Sequence, residues 1–103
     1  MMDGLTLRYE LRAGTTTVTV EGSLDARNCE TLRDGLGLAR MLRPSGPIVI
    51  DLDRVDELAV AALVILREAS ADARRDGRTM SLRNLHQENV TDPGSVRILA
   101  RTG

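Results

Sequence analysis

Of 103 residues none is lysine, phenylalanine or tryptophan, and cysteine, histidine and tyrosine occur once each. A lone Cys29 closes no intramolecular disulfide, and one cysteine with one histidine cannot fill a zinc site of ordinary spacing. A reducing compartment is the expected home. With Tyr9 the sole aromatic, the stacking platforms of a single-strand binder are missing. A formal net charge of −1 supplies no field to gather a polyanion, so nucleic acid is not an expected partner. Met1-Met2-Asp3-Gly4 has no basic stretch leading into an apolar core, and no apolar run reaches the roughly 18 residues that span a bilayer. A cytoplasmic protein without direct membrane insertion is expected. No glycine-rich phosphate loop is present, and no cofactor is called for.

What is present suits one core: 42% of residues are hydrophobic and 28% charged, and the length favours a single domain over 1–103. Leu5, Leu7, Tyr9 and Leu11 alternate with Thr6, Arg8 and Glu10, the period of a strand with one wet face. Gly14 permits a turn, and Thr15 to Glu21, with Val18 and Val20 on one face, completes an antiparallel hairpin. Gly22-Ser23-Leu24-Asp25 breaks that pattern. Asp25 or Asn28 then caps a helix to about Leu42 whose buried stripe is Cys29, Leu32, Leu36 and Ala39. Pro44-Ser45-Gly46-Pro47 ends it. Ile48-Val49-Ile50 is apolar on successive residues, as in a central strand covered on both sides.

After Leu52 the residues Asp53-Arg54-Val55-Asp56-Glu57 read as an acidic connection. A second helix follows from about Leu58 to Asp76, with Gly77 as its C-terminal cap. Thr79 to Leu85 alternates as a fourth strand, and Val96, Ile98 and Leu99 suggest a final helix. The order implies an α/β fold with right-handed crossovers. Its mixed four- or five-stranded sheet should carry helices mainly on one face and leave Thr, Arg, Glu and Ser wet on the other.

In such a sheet the loops after parallel strands meet at one rim, which brings Ser23, Asp25, Asp56, Glu57, Asn84 and His86 together. Beside them Leu58 to Leu66 reads LAVAALVIL, nine apolar residues on a helix that can bury only one face. If Leu63, Leu66, Ser70 and Ala73 face the sheet, Val60, Val64 and Ile65 point elsewhere, and exposed apolar surface at a rim marks a protein interface. Catalytic groups are scarce. As a lone general base His86 would need a positioned partner, and Cys29 falls on a buried face. Asp51, Asp53, Asp56 and Glu57 match no calcium loop and suit solvation or a helix cap better than a metal. The residues point to a binding protein with no catalytic or metal site.

The run Val18-Thr19-Val20-Glu21-Gly22-Ser23-Leu24-Asp25, then Ile48-Val49-Ile50-Asp51-Leu52-Asp53, then an apolar helix ending at Arg74-Arg75-Asp76-Gly77, resembles the STAS family, which includes bacterial anti-sigma factor antagonists. Gly22, Leu24, Asp25, Asp51, Leu52, Val55, Leu58, Leu63, Leu66, Arg74 and Gly77 fall in step with its pattern, and the C-terminal end is similar to its Leu-x-x-Thr-Gly helix end. The resemblance implies a single STAS-like domain that binds an anti-sigma factor or kinase-like regulatory protein. In the family that partner phosphorylates the second serine of Asp-Ser-Ser-Gly, and a phosphate there disrupts the contact.

Here the matching positions are Ala59, Val60, Ala61 and Ala62. Ala61, the phosphoacceptor equivalent, has no hydroxyl, so the usual switch cannot operate. The expected partner-binding set is Ser23, Asp25, Asp56, Glu57, Ala59, Val60, Ala61, Ala62, Val64 and Ile65. An alternative within the resemblance is the STAS-like subunit of a membrane lipid-transport ATPase complex. The family's usual further strand and helix are absent after Gly103, and the edge so left open favours a homodimer, through an uncovered strand or the apolar strip.

Overall fold

A computed structural model describes residues 4–86 and 90–91. Strand β1 (Leu5–Arg12) turns through Ala13 and Gly14, both in the left-handed region, into β2 (Thr15–Leu24). That is the two-residue turn whose twist suits a hairpin, and it pairs Arg12 with Thr15 and Tyr9 with Val18. A 3-10 turn (Ala26–Asn28) leads to α1 (Cys29–Leu42), then β3 (Ile48–Ala59), α2 (Val60–Arg75), β4 (Met80–Arg83) and β5 (Val90–Thr91). The sheet order is β1-β2-β3-β4, with β5 also on β3. β1 and β2 are antiparallel, and β3 is parallel to β2, β4 and β5. The expected mixed sheet is therefore present. The final helix expected around Val96, Ile98 and Leu99 lies outside the described residues.

One face of the sheet holds the core. Val18, Val20, Ile48 and Ile50 are buried there with Leu32, Leu36 and Ala39 of α1 and Ala62, Leu66 and Ala73 of α2. Cys29 is only partly buried at the edge of its expected stripe. The other face carries Thr15, Thr17, Thr19, Glu21 and Asp51, all half-buried. Val49 is half-buried too, so β3 is central in the sheet but not covered on both sides as its sequence suggests.

Two boundaries differ from the sequence reading. β2 does not stop at Glu21; it continues through Gly22 and Ser23 to Leu24. β3 does not stop at Leu52; the supposed acidic connection is strand as far as Ala59, so Leu58 belongs to the sheet and α2 begins at Val60. The cause is visible in the pairing. Thr19 pairs with Asp51 but Glu21 with Arg54, and Gly22 pairs with Val55 but Ser23 with Glu57. Each step adds one residue to β3, a β-bulge, and each bulge reverses which side of the strand faces inward. Leu52, Val55 and Leu58 thus stay buried at a spacing of three, and Asp53-Arg54 and Asp56-Glu57 face outward as consecutive pairs. A period of three matches neither a strand nor a helix template.

α2 ends as anticipated. Asp76 is the C-cap, Gly77 has φ 76°, its N–H donates to the Arg74 carbonyl at 2.9 Å, and the Arg78 N–H donates to Ala73 at 2.9 Å. These are the two bonds of a Schellman motif, which needs a residue at ease in the left-handed region.

Candidate functional site

The C-terminal ends of β2 and β3 and the first turns of α2 form one rim. Ser23 sits in β2 opposite Glu57, half-buried, and its carbonyl accepts a hydrogen bond from the Asn28 side-chain amide. Asp25 follows. Its carboxylate accepts from the Arg27 backbone N–H at 2.9 Å, from that of Asn28 at 3.2 Å and from the Arg27 guanidinium at 3.1 Å. The Arg27 side-chain hydrogen bond, foremost, holds Asp25 below the usual carboxylate range. Asp25 is thus the cap of the 3-10 turn, whereas Asn28, the other expected cap, makes no side-chain cap bond to α1.

Asp56 and Glu57 are exposed side by side after the second bulge. They do not cap α2, one of the roles the sequence reading allowed them, because the strand runs on past them to Ala59.

Ala59 is the N-cap of α2, extended at φ −69° and ψ 149°, with no side chain able to accept a hydrogen bond and no acid in the first turn. The orphan N–H groups of a helix start are ordinarily met by a cap residue. Ala59→Asp is therefore expected to stabilise the fold by about 1 kcal/mol, read as a higher midpoint of urea unfolding. No shift, or a lower midpoint, would contradict the geometry.

Along α2, Ala61 is exposed, Val60 half-buried, and Val64 47% exposed. Ala62 and Ile65, both expected at the partner surface, are instead core residues, at 0% and 6% exposure. Ile65 lies on the side of α2 that faces α1, where it and Leu36 line the groove between the helices, so a neighbouring helix covers it. Leu66 and Ala73 face the sheet as anticipated, while Leu63 and Ser70 are half-buried at its margin. No hydroxyl, acid, imidazole or thiol occurs from Ala59 to Leu66. That surface can bind through apolar contact and backbone, and it has no group of its own for acid-base or nucleophilic chemistry.

Beside the rim lies a polar network that the sequence reading did not find. Asp51 accepts from Arg83 Nη2 at 3.1 Å, Asn84 Nδ2 at 3.0 Å and the Asp53 backbone N–H at 3.1 Å, and Asp53 Oδ1 lies 3.2 Å from His86 Nε2. Burial alone would raise the Asp51 pKa, but the bonds from Asn84, Asp53 and Arg83 outweigh it and lower the pKa. Asn84, with φ 61°, reaches back to Asp51 from the turn after β4. The parallel pairing of β3 with β4 sets Asp51 opposite Arg83, a register that no motif in the sequence announces. Among the described residues no group of three or more His, Cys, Asp or Glu side chains is placed to hold a metal ion, and no helix is long and apolar enough to cross a membrane.

The fold is similar to that of several solved structures. One is an antisigma-factor antagonist STAS domain from Rhodobacter sphaeroides, with TM-score 0.66 and 20% identity over 80% of this chain and 88% of that one. A second is an anti-sigma factor antagonist from Mycobacterium paratuberculosis, with TM-score 0.69 and 24% identity over 98% of this chain and 80% of that one. A third is the anti-sigma factor antagonist SpoIIAA in its unphosphorylated form, with TM-score 0.64 and 13% identity over 94% and 97%. No curated protein matches the chain. A family model described as "Mlab, STAS domain" matches residues 7–101, and the chain belongs to that family.

Proposed function

We propose that this chain is a regulatory binding module of the anti-sigma factor antagonist kind, which docks an anti-sigma factor or kinase-like regulator on the first turns of α2. It works in the cytoplasm as a single domain and is not switched by phosphorylation at the usual position. The observation that carries the reading is Val64, 47% exposed on a helix whose first turn carries exposed Ala61 and which follows exposed Asp56 and Glu57 in the chain. An apolar centre with a charged margin is the anatomy of a protein interface. The similarity to antagonists of known structure supports the class of partner. Ala61 supplies the second half of the reading, because a methyl side chain accepts no phosphoryl group.

The test is capture from a lysate of the native host, with the bound protein identified by mass spectrometry. Wild-type protein is expected to retain an anti-sigma factor or serine-kinase-like regulator. Val64→Asp should reduce that retention at least tenfold while stability moves by no more than about 0.5 kcal/mol, as for an exposed site. Retention indifferent to Val64→Asp would remove the α2 surface from the proposal. Retention of a lipid-transport ATPase would replace the anti-sigma partner with the alternative one.

A further inference from the structure

Among the described residues β1 ends the sheet, with β2 its one strand neighbour. In a two-residue hairpin the closing pair, here Arg12 and Thr15, is hydrogen-bonded to itself. Thr6, Arg8, Glu10 and Arg12 therefore direct their backbone groups to β2, and Leu7, Tyr9 and Leu11 direct theirs to the free edge. Proteins usually guard such an edge with proline, a bulge, or charges of one sign that repel a copy. β1 has eight residues, no proline and unbroken pairing with β2, and its charges alternate as Arg8, Glu10, Arg12.

That alternation is self-complementary. When β1 meets a second β1 antiparallel with Tyr9 opposite Tyr9, Arg8 of each copy stands opposite Glu10 of the other, and Leu7 stands opposite Leu11. The Tyr9 and Leu7–Leu11 pairs are hydrogen-bonded ones. The two Arg8–Glu10 pairs fall between them, where opposed side chains lie closest. Moving the register two residues one way sets Arg8 against Arg8, and the other way sets Glu10 against Glu10 and Arg8 against Arg12. A one-residue slip puts the apolar face of one copy on the wet face of the other. In the single chain Arg8 pairs with half-buried Glu21 at 3.3 Å and Arg12 with exposed Glu10 at 2.7 Å, and both arginine side chains are themselves largely exposed, so these pairs are weak and open to exchange.

The helix layer agrees. At Gly35 α1 lies close against β1: the Tyr9 hydroxyl donates to its carbonyl at 2.9 Å, and a Cβ built on it would lie 3.0 Å from Leu7 Cδ1. Three and seven residues on, the same side of α1 presents Leu38 and Leu42, exposed by 44% and 40%, and Leu11 of β1 is exposed by 45%. A second copy joined at β1 would lie against this apolar border.

We infer that the chain forms a two-fold dimer by antiparallel β1–β1 pairing centred on Tyr9, giving one continuous sheet across both copies. The α2 surface is at neither the edge nor the axis, so each dimer offers two copies of it.

The test is sedimentation equilibrium of the full chain across the micromolar to sub-millimolar range, with circular dichroism melts to verify folding. Wild-type protein is expected to be a dimer. Arg8→Glu and Glu10→Arg each convert both cross-strand pairs to like-charge contacts, so each alone should weaken the dimer by about tenfold or more. The double variant Arg8→Glu/Glu10→Arg rebuilds both pairs with signs exchanged and should return the dimer to near the wild-type strength. If one single variant fails to melt cooperatively, the other single and the double carry the comparison. A wild-type monomer throughout, a dimer that neither single weakens, or a double variant as weak as the singles would overturn the inference. Val64→Asp separates this from the proposed function: it should leave the dimer intact, and a dimer lost in that variant would place the interface on α2 and overturn the β1 pairing.

Discussion

Arg78→Ala is expected to cost about 3–5 kcal/mol of folding free energy, the range seen when a buried, fully engaged charged side chain is removed. Arg78 is 6% exposed and, among the described residues, meets no carboxylate. Its guanidinium instead donates to four backbone carbonyls: Nε to Gly46 at 2.8 Å, Nη1 to Arg40 at 3.1 Å and Arg43 at 2.8 Å, and Nη2 to Ser45 at 3.3 Å. These belong to the last turn of α1 and the loop leading to β3, where helix carbonyls have no partner of their own. The negative end of the helix dipole supplies the compensation that a carboxylate would otherwise give. Truncation strands these carbonyls in a buried place and opens a cavity, and both effects destabilise.

Arg78→Lys keeps the charge but loses the planar fork, so it should recover only part of the loss. Thermal unfolding of both variants is the measurement, with a fall of roughly 15 °C or more expected for the alanine form. A loss below about 1 kcal/mol would mean that water or another side chain takes over the carbonyls.

The place of Arg78 also shows which parts of this protein could be read from its sequence. The resemblance pointed to Arg74, which is exposed; the buried arginine is four residues later. In the sequence every basic residue is an arginine, and what distinguishes Arg78 is that the Schellman turn at Gly77 delivers it beneath the end of α1. Local patterns were legible where one face of one element decides burial. The alternation of β1 from Leu5 to Tyr9, the Val18 and Val20 face of β2, and Leu32, Leu36 and Ala39 of α1 hold, whereas Leu11, expected on the same face of β1, is exposed. They failed where pairing with a neighbour resets the phase. The two bulges turn Val55 and then Leu58 inward after Leu52, at a spacing that resembles a loop.

The same shift moved the start of α2 to Val60; Ile65 is in the core because α1 packs against its side of α2, while Val64 stays exposed. Eight of the ten residues expected at the partner surface are still outside the core, since Ala62 and Ile65 are the two that the structure buries. The Asp51 network needed the β3–β4 register, which no single segment encodes.

Gly22→Ala should be the second large loss, about 3 kcal/mol, from two sources that add. Gly22 has φ 110°, a conformation open to glycine and strained for any L side chain by about 1–3 kcal/mol. It also pairs with Leu5 on one side and Val55 on the other, next to the second bulge. A Cβ there would overlap the Gly4 carbonyl oxygen and lie 2.8 Å from its carbon and 3.4 Å from Leu5 Cα. Both close atoms are backbone, so no rotamer change relieves the contact. Either the start of β1 swings away, exposing Leu5, now 9% exposed, at about 1.5–3 kcal/mol, or β2 twists and disturbs Leu24, which is fully buried two residues on.

Hydrogen exchange separates the two responses. Faster exchange confined to the first residues of β1 marks the first, and loss of protection at Ser23 and Leu24 marks the second. Because Ser23 pairs with Glu57, three residues before α2 begins, only the second response should also weaken partner capture. An alanine variant as stable as wild type would show that the hairpin has room for a side chain at Gly22, and the close approach of β1 to β2 would then not be what fixes the end of β2 at the rim.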